Sequence, residues 1–175
     1  MTMQQQSASL QHIETIKSEV DRVSNILLQL KDDYSQSLQD QPEVDVNLLI
    51  PHEKVLLDKK DILKNNLKYK NDDIIISTII MCNESNLIID GHHRYTALKE
   101  LGYSKIPVTL INYFSNKIIT DDNDSLSKLD IINNSKNKSL YNPKTTKHLI
   151  YCNRNRNWLP ITLISSLYLL KSNKG

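Results

Sequence analysis

The chain has 175 residues, and its 22 Lys and Arg residues against 20 Asp and Glu residues leave a formal net charge of +2. This length, with a hydrophobic content of 39%, predicts one compact domain with an extension. Because only 3 residues are glycine, glycine-rich phosphate loops of the Walker and dinucleotide-binding types are excluded. The near-zero net charge makes nucleic acid an unlikely partner.

Cys82 and Cys152 are too few for a disulfide framework or a zinc cluster, so we expect reduced thiols in a cytoplasmic protein. The first residues lack the basic and apolar regions of a signal peptide. No apolar run approaches the roughly 18 residues of a membrane span, and we therefore expect no membrane partner.

The first predicted element is an amphipathic helix from Leu10 to about Tyr34, within an extension that covers residues 1–45 together with a polar linker at 35–45. Apolar residues spaced alternately by three and four positions form a heptad seam: Ile13, Ile16, Val20, Val23, Leu27, Leu30 and Tyr34. Two interpretations stay open. The helix packs on its own domain, or it forms a short coiled coil that makes a homodimer or binds a partner.

The predicted core spans residues 46–114 and alternates strands with helices. Strands are expected at residues 46–50, 74–81, 87–89 and 107–111, and helices at 58–69 and 95–101. Gly102 suits the position just after the second of these helices. Residues 115–140, rich in Asn, Ser, Asp and Lys, predict a flexible low-complexity insertion with a weak helical patch. A final helix is expected at 159–170.

The strongest candidate for chemistry is the segment Asp90-Gly91-His92-His93-Arg94, which ends a strand and opens a helix. Such a junction offers free backbone N–H groups and the positive end of the helix dipole. Gly91 allows a ligand to approach the backbone, and Arg94 offers a planar fork for phosphate oxygens. The alternative is a plain strand-to-helix turn with a capping Asp90 and two surface histidines.

Two weaker features flank this box. Glu53 follows the first predicted strand, and Lys144-Thr145-Thr146-Lys147-His148 gathers two hydroxyls and two cations. Taken alone, both read as solvated loops, although the second has groups that can hold a phosphate or a carboxylate.

Taken together, three segments resemble the ParB/sulfiredoxin-like superfamily, and within it the branch of free L-serine kinases. These segments are Leu49-Ile50-Pro51-His52-Glu53, Ile88-Ile89-Asp90-Gly91-His92-His93-Arg94-Tyr95-Thr96-Ala97-Leu98, and Asn142-Pro143-Lys144-Thr145-Thr146-Lys147-His148. The resemblance implies an α/β fold, a small mixed sheet with flanking helices preceded by the N-terminal helix. It also implies that residues 141–175 complete the site.

The resemblance further implies transfer of a phosphoryl group from ATP or ADP, with Mg²⁺, to the hydroxyl of free L-serine. Glu53 matches the catalytic base, and Asp90 would also bind the metal. Gly91, His92, His93 and Arg94 match the residues that handle nucleotide phosphates. Thr145, Thr146, Lys147 and His148 match the segment that holds serine and the transferred phosphate. This arrangement suits phosphoryl transfer, which needs positioning and charge neutralisation more than covalent chemistry.

Other branches of the superfamily fit less well. Sulfiredoxins have a cysteine where this chain has His92, and Cys82 is expected in the core. ParB partition proteins have an arginine-rich box and a helix-turn-helix domain, for which this chain has no room. A second function therefore remains open besides the kinase: a non-catalytic regulatory protein that binds a nucleotide or phosphate and contacts a partner through its helix.

Overall fold

The computed structural model describes residues 3–33, 41–67, 73–121 and 123–172, with the side chains of the first helix described for residues 9–26 and 29. Tyr34, linker residues 35–40 and the predicted helix end at 68–69 lie outside the described residues. The helices are α1 Met3–Asp33, α2 Leu57–Asn66, α3 His92–Glu100 and α4 Lys128–Lys136. The strands are β1 Glu43–Asp45, β2 Ile74–Ser77, β3 Ile79–Cys82, β4 Ile88–Asp90, β5 Lys105–Ile111, β6 Ile118–Ile119, β7 Leu149–Cys152, β8 Asn157–Pro160 and β9 Leu167–Leu170.

The central sheet has four strands in the order β1-β5-β3-β4. β5 runs parallel to β3, whereas the β1–β5 and β3–β4 pairs are antiparallel. The helices α2 and α3 contact each other, and α3 also contacts β3. The predicted α/β fold, a mixed sheet with flanking helices, is therefore confirmed. Buried aliphatic residues of β3, β4 and β5 supply much of the core, and their burial provides most of the driving force for folding.

A polar residue divides the predicted strand 74–81 into two strands. The amide of Thr78 donates to the carbonyl of Ser166 at 2.8 Å, and its hydroxyl contacts that of Thr109 at 2.7 Å. β2 therefore pairs with β9 in a separate two-stranded sheet, while β3 continues into the central sheet. The run of isoleucines, buried except for Ile75, therefore contributes to two sheets instead of one.

The predicted strand 46–50 is wrong. Residues Val46–Leu48 form a 3-10 helix, because the carboxylate of Asp45 accepts the amide N–H of Asn47 at 2.8 Å and tightens the turn. The strand lies earlier, at β1, and Ile50 makes only an isolated bridge with Leu87. This turn leads the chain directly into the segment that contains Glu53.

The described residues 115–121 and 123–140 contain ordered elements packed on the core, in contrast to the flexible insertion that their composition predicts. They contain β6 and α4, whose first turn is capped by the Ser127 hydroxyl. Ile118, Ile131 and Ile132 lie in a buried cluster with Ile150 of β7. A few isoleucines among many polar residues are enough to anchor the segment to the three-stranded sheet β6-β7-β8.

The predicted helix at 159–170 is also wrong. This stretch contains the end of β8, a 3-10 helix at Ile161–Ile164, and β9. Many of its apolar residues lie in paired strands, since β8 pairs with β7 and β9 pairs with β2. Long-range ladder hydrogen bonds here outweigh the local helical pattern.

The predicted N-terminal helix is present as α1, and its apolar seam is exposed over the described part from Ile13 to Val23. Ile26 packs on the buried cluster that contains β7, and α1 contacts β7 and the 3-10 helix Ile161–Ile164. Earlier along α1 the apolar side chains are exposed: Leu10, Ile13, Ile16, Val20 and Val23. Among the described residues, none of the helices combines the length and apolar content that a membrane crossing requires.

Candidate active site

The junction between β4 and α3 requires glycine at position 91. Gly91 has a φ of 106°, in the left-handed region that L side chains rarely adopt. A Cβ atom there would lie 2.9 Å from Nη2 of Arg94 and 3.1 Å from Cγ1 of Ile79. Because the turn is left-handed and closely packed, α3 begins immediately after the last residue of β4.

Asp90 and Arg94 form an ion pair across the first turn of α3, with Nη2 of Arg94 at 2.9 Å from Oδ2 of Asp90. The same Nη2 atom contacts the carbonyl oxygen of Thr78 at 3.4 Å. Within the described part of the chain, the buried Nε of Arg94 has no hydrogen-bond partner. The pair is about three-quarters buried, so the guanidinium is fixed beside the cavity described below.

The carboxylate of Glu53 is oriented by the segment that contains Thr146. Its Oε1 accepts hydrogen bonds from the amide of Thr146 at 2.8 Å and from the Thr146 hydroxyl at 2.6 Å. Its Oε2 accepts the amide N–H of Lys144 at 3.2 Å. The two backbones also pair, since the amide of Lys54 donates to the carbonyl of Tyr141 at 2.9 Å and the amide of Tyr141 donates to the carbonyl of His52 at 2.8 Å. Two regions that are far apart in sequence therefore meet at one carboxylate.

Both histidines of the box hold the Glu53 segment through its backbone. Nε2 of His92 accepts the amide N–H of His52 at 3.2 Å, and Nε2 of His93 accepts that of Leu56 at 3.0 Å. A ring nitrogen that accepts carries no proton, so both imidazoles are neutral in this arrangement. Burial lowers the pKa of His92 well below 6.5, and burial followed by the charge of Lys59 lowers the pKa of His93.

A buried histidine that directly precedes Glu53 joins the same network. Nδ1 of His52 lies 2.7 Å from the carbonyl oxygen of Ile88, and Nε2 lies 2.8 Å from the Thr146 hydroxyl. Its ring meets those of His92 and His148 edge to face, with centroids 4.5 and 5.4 Å apart. Burial lowers the pKa of His52, while the nearby charge of Glu53 acts in the opposite direction.

His148 lies at the inner end of this cluster. Its Nε2 is 2.8 Å from the hydroxyl of the buried Tyr113, and the tautomer of the imidazole sets which of the two groups donates. Burial lowers the pKa of His148 to about 3 and raises the pKa of Tyr113. This pair fixes the ring at the wall of the smaller of two cavities.

Two cavities meet at the candidate site. The larger has a volume of about 700 Å³, and the smaller has a volume of about 300 Å³. Five residues line both cavities: Glu53, Asp90, His92, Thr146 and Lys147. Gly91, His93, Arg94, Lys59 and Lys144 line only the larger, and His148 and Thr162 line only the smaller. The shared residues form a boundary where two bound molecules can exchange a group.

Cationic side chains outnumber carboxylates on the wall of the larger cavity, where four of them lie with the carboxylates of Glu53 and Asp90. The cations are Lys59, Arg94, Lys144 and Lys147. The close approach of the Lys144 ammonium group, which carries a like charge, lowers the pKa of Lys59. Two ammonium groups held this close favour a polyanion between them.

The structure brings most of the predicted site residues together. Thr145 is the exception, because its exposed hydroxyl donates to the carbonyl of Asn142 at 2.7 Å and it lines neither cavity. Sequence reasoning did not assign His52 or Lys59 to the site, and it counted Lys144 only as one of the two cations of the segment at 144–148. Because His52 and Lys144 adjoin assigned residues, the sequence could have indicated that they belong to the site. It gave no such indication for Lys59, since a lysine on an exposed helix is ordinary.

Comparisons with known proteins bear on this site. No protein-family model matches the chain. An ATP-dependent L-serine kinase of Staphylothermus marinus is 38% identical over 77 residues, which is 43% of this chain and 31% of that protein. A ParB-like protein of Sulfolobus acidocaldarius is 40% identical over 70 residues, 40% of this chain and 34% of that protein. The matches thus span about a third of the length of these curated relatives.

Among solved structures, a free serine kinase in complex with AMP superposes with a TM-score of 0.53 and 14% identity, covering 63% of this chain and 88% of that one. A glutamate-to-alanine variant of a free serine kinase, in complex with ADP, gives a TM-score of 0.53 at 13% identity, with 65% and 89% covered. The chain shares the fold of these kinases. The resemblance predicted from its three segments is confirmed.

Proposed function

We propose that this protein is a kinase that transfers a phosphoryl group from ATP or ADP to the hydroxyl of free L-serine, giving O-phosphoserine. The observation that carries the proposal is the position of Glu53. Its carboxylate is held by the amide and hydroxyl of Thr146 at the boundary between a large and a small cavity. A carboxylate placed there can take the proton of an acceptor hydroxyl as that hydroxyl attacks phosphorus.

The sizes and charges of the cavities suit the two substrates. The larger cavity, with Arg94 and three lysines, suits the phosphates of a nucleotide, which approach the N-terminus of α3 at Gly91. The smaller cavity of about 300 Å³ suits a free amino acid. Lys147 lines both, and its cationic side chain can offset the charge of the phosphoryl group in transit.

Mg²⁺ fits the chemistry of Asp90. Oδ2 of Asp90 is bonded to Arg94, and Oδ1 has no hydrogen-bond partner in the part of the chain that the structure describes. The described residues contain no cluster of three or more His, Cys, Asp or Glu side chains able to hold a metal by themselves. Mg²⁺ is commonly held by one or two carboxylates together with substrate phosphates. Asp90 would therefore bind the ion with the nucleotide, whose phosphate charge the ion would neutralise.

The kinase proposal is tested by ³¹P NMR of the purified protein with L-serine, Mg²⁺ and either ATP or ADP. We expect an O-phosphoserine signal that requires both the nucleotide and serine. Absence of that signal with either nucleotide, beside an active serine kinase as control, would sink the proposal. Threonine and other small hydroxylated acceptors in parallel samples define the acceptor.

A second function is favoured by the exposed apolar face of α1. In this second function the protein is a non-catalytic regulator that binds a nucleotide without turnover and contacts a partner through α1. We propose the occupant to be a second copy of the chain, because the exposed residues repeat at heptad spacing, as in self-associating helices. Calorimetry that shows nucleotide binding without phosphoserine formation would favour this alternative over the kinase.

We also propose a cytoplasmic location. Both cysteines are buried and unpaired, as expected in a reducing compartment, and ATP is the proposed substrate. Localisation of a tagged full-length chain, by fractionation, tests this proposal.

A further inference from the structure

Three consecutive short contacts connect the carbonyl oxygen of Ile88 to the proposed base, Glu53. They run from the carbonyl oxygen of Ile88 to Nδ1 of His52 at 2.7 Å, from Nε2 of His52 to Oγ1 of Thr146 at 2.8 Å, and from Oγ1 of Thr146 to Oε1 of Glu53 at 2.6 Å. Each distance is that of a good hydrogen bond. Each therefore requires one proton between its two atoms.

The three contacts have one proton fewer than they need when His52 is neutral and Glu53 is ionised. The carbonyl of Ile88 only accepts, and an ionised Glu53 only accepts. A neutral His52 supplies one proton and the Thr146 hydroxyl supplies one, so two protons serve three contacts. All three contacts become hydrogen bonds only when one further proton is present on the His52–Thr146–Glu53 chain. That proton makes His52 an imidazolium facing a carboxylate, or makes Glu53 a carboxylic acid facing a neutral imidazole.

We propose that His52 is a positioning and relay residue behind Glu53, which receives through Thr146 the proton that Glu53 removes from the acceptor hydroxyl. This inference rests on the proposed kinase function. The acceptor O–H bond breaks and its proton moves to Oε1 of Glu53. The Thr146 hydroxyl, which donates to Glu53 before the reaction, then turns toward His52; its proton passes to Nε2 of His52 while the proton on Oε1 of Glu53 passes to Oγ1 of Thr146. The acceptor oxygen's electron pair forms the new O–P bond, and the electron pair of the broken P–O bond stays on the nucleotide.

The surroundings of His52 suit a proton acceptor of this kind. Nδ1 donates to Ile88, so the lone pair of Nε2 points at Thr146. The rings in contact, His92 and His148, are neutral, and the nearby anions are Glu53 and Asp90. Burial lowers the pKa of His52, which keeps the imidazole free to accept a proton near neutral pH, while the two carboxylates favour the cation once formed.

The first experiment needs no catalytic activity. ¹⁵N NMR of the ligand-free full chain, with labelled histidine, reports which ring nitrogen of His52 carries the proton; assignment uses the His52→Gln spectrum. We expect the Nδ1–H form near pH 8. An Nε2–H form would overturn the relay, because Nε2 would then have no lone pair for a proton. This result stands whether or not the protein phosphorylates serine.

The second experiment uses turnover. His52→Gln keeps a side-chain amide near Thr146 but cannot take up a proton, and Thr146→Val removes the bridging hydroxyl, which Thr146→Ser retains. We expect kcat to fall about 100-fold in the first two variants with KM for nucleotide unchanged, and to recover largely in the third. The exposed His12→Gln is the matched control and should behave as wild type.

The solvent isotope effect distinguishes a proton relay through His52 from a purely structural role of that residue. In mixtures of H₂O and D₂O, the wild-type rate should fall with a curved dependence on deuterium fraction, since more than one proton moves, and His52→Gln should give a straight line. A straight line for the wild type, or full activity of His52→Gln in a protein that makes phosphoserine, would overturn the relay while leaving the kinase proposal intact.

Discussion

Thr146 donates both its amide and its hydroxyl to one oxygen of Glu53, at 2.8 and 2.6 Å, across 93 residues of sequence. The carboxylate therefore serves as the anchor of the segment at 144–146 as well as the proposed base. A substitution at Glu53 has to be judged for both effects, and the choice of variant decides which effect is measured.

Glu53→Gln should separate the two roles. The amide oxygen of Gln can still accept from Thr146, whereas the side chain no longer acts as a base. We expect kcat to fall by about 100- to 10,000-fold, with nucleotide affinity and melting temperature nearly unchanged. Steady-state kinetics and calorimetry measure this, and the exposed Glu84→Gln is the control. Full activity of Glu53→Gln would remove Glu53 from the role of base.

Gly91→Ala should damage both the turn and the nucleotide site. The positive φ and the 2.9 Å approach of a Cβ to Arg94 predict a loss of about 1–3 kcal/mol in the free energy of unfolding. The guanidinium also has to shift, so nucleotide affinity should fall. Denaturant unfolding and calorimetry are the measurements.

Gly102→Ala is a matched control for this substitution. Gly102 also has a positive φ, 85°, yet a Cβ there meets nothing within 4 Å. We expect a loss of about 1 kcal/mol in the free energy of unfolding and unchanged nucleotide affinity. Equal effects of the two substitutions on nucleotide affinity would show that the contact with Arg94 does not matter.

Arg94→Lys should weaken nucleotide binding while keeping the charge. A lysine cannot reproduce the planar fork that pairs with Asp90 and faces the phosphates. We expect about a 10-fold loss of ATP affinity, from the loss of a charge-assisted hydrogen bond. Isothermal titration of each variant with ATP measures it, and Lys99→Arg, at an exposed position late in α3, is the control. Unchanged affinity in Arg94→Lys would place the phosphates elsewhere.

The buried histidines should make the protein sensitive to acid. The pKa values of His52, His92 and His148 are lowered by burial, that of His148 from 6.5 to about 3. Below pH 6.5 the unfolded chain therefore binds more protons than the folded chain, and stability falls as the pH falls. Each such histidine contributes a slope of up to about 1.4 kcal/mol per pH unit.

Denaturant unfolding between pH 7.5 and 5 measures this slope. His148→Gln should reduce it by up to about 1.4 kcal/mol per pH unit at the acid end of this range, because an amide can still hydrogen-bond to Tyr113 but does not titrate. An unchanged slope would mean that His148 is protonated in the folded protein or that the folded state opens around it.

Val20→Asp should disrupt the proposed dimer. Val20 lies in the middle of the exposed apolar face of α1, with 57% of its surface exposed. A carboxylate in a helix–helix seam would be desolvated and opposed by its symmetry mate, so we expect a monomer in light scattering where the wild type is a dimer. Ser18→Asp, on the opposite face, should leave the dimer intact. A monomeric wild type rules out the dimer.

The sequence predicted the strand-to-helix junction at Asp90 and Gly91 because local chemistry determines it: a buried strand, a glycine and a helical segment. It also predicted α1, whose heptad pattern is local. The failures at 46–50 and 159–170 have a different origin. Asp45 redirects the chain through one side-chain hydrogen bond, and the strand Leu167–Leu170 exists because β2 is available to pair with it.

The residues of the candidate site were likewise predicted only where local sequence identifies them. Glu53, the box and the segment at 144–148 were found from their residue types and their resemblance to a known family. The role of His52 was not, because nothing in a Pro-His-Glu sequence reveals that Ile88 and Thr146 lie at the two ring nitrogens. Such contacts depend on three segments meeting in space, which local patterns do not encode.

The hydrogen bond from the Leu56 amide to His93 makes an imidazole ring the spacer between the first turn of α3 and the segment that contains Glu53. The length of that ring fixes how far the base stands from the cavity wall where phosphates would bind. His93 lines the larger cavity only, yet it helps determine the gap that an acceptor hydroxyl has to bridge. A selection for activity on longer or shorter acceptors would therefore be expected to return changes at position 93, although His93 does not line the cavity proposed for the acceptor.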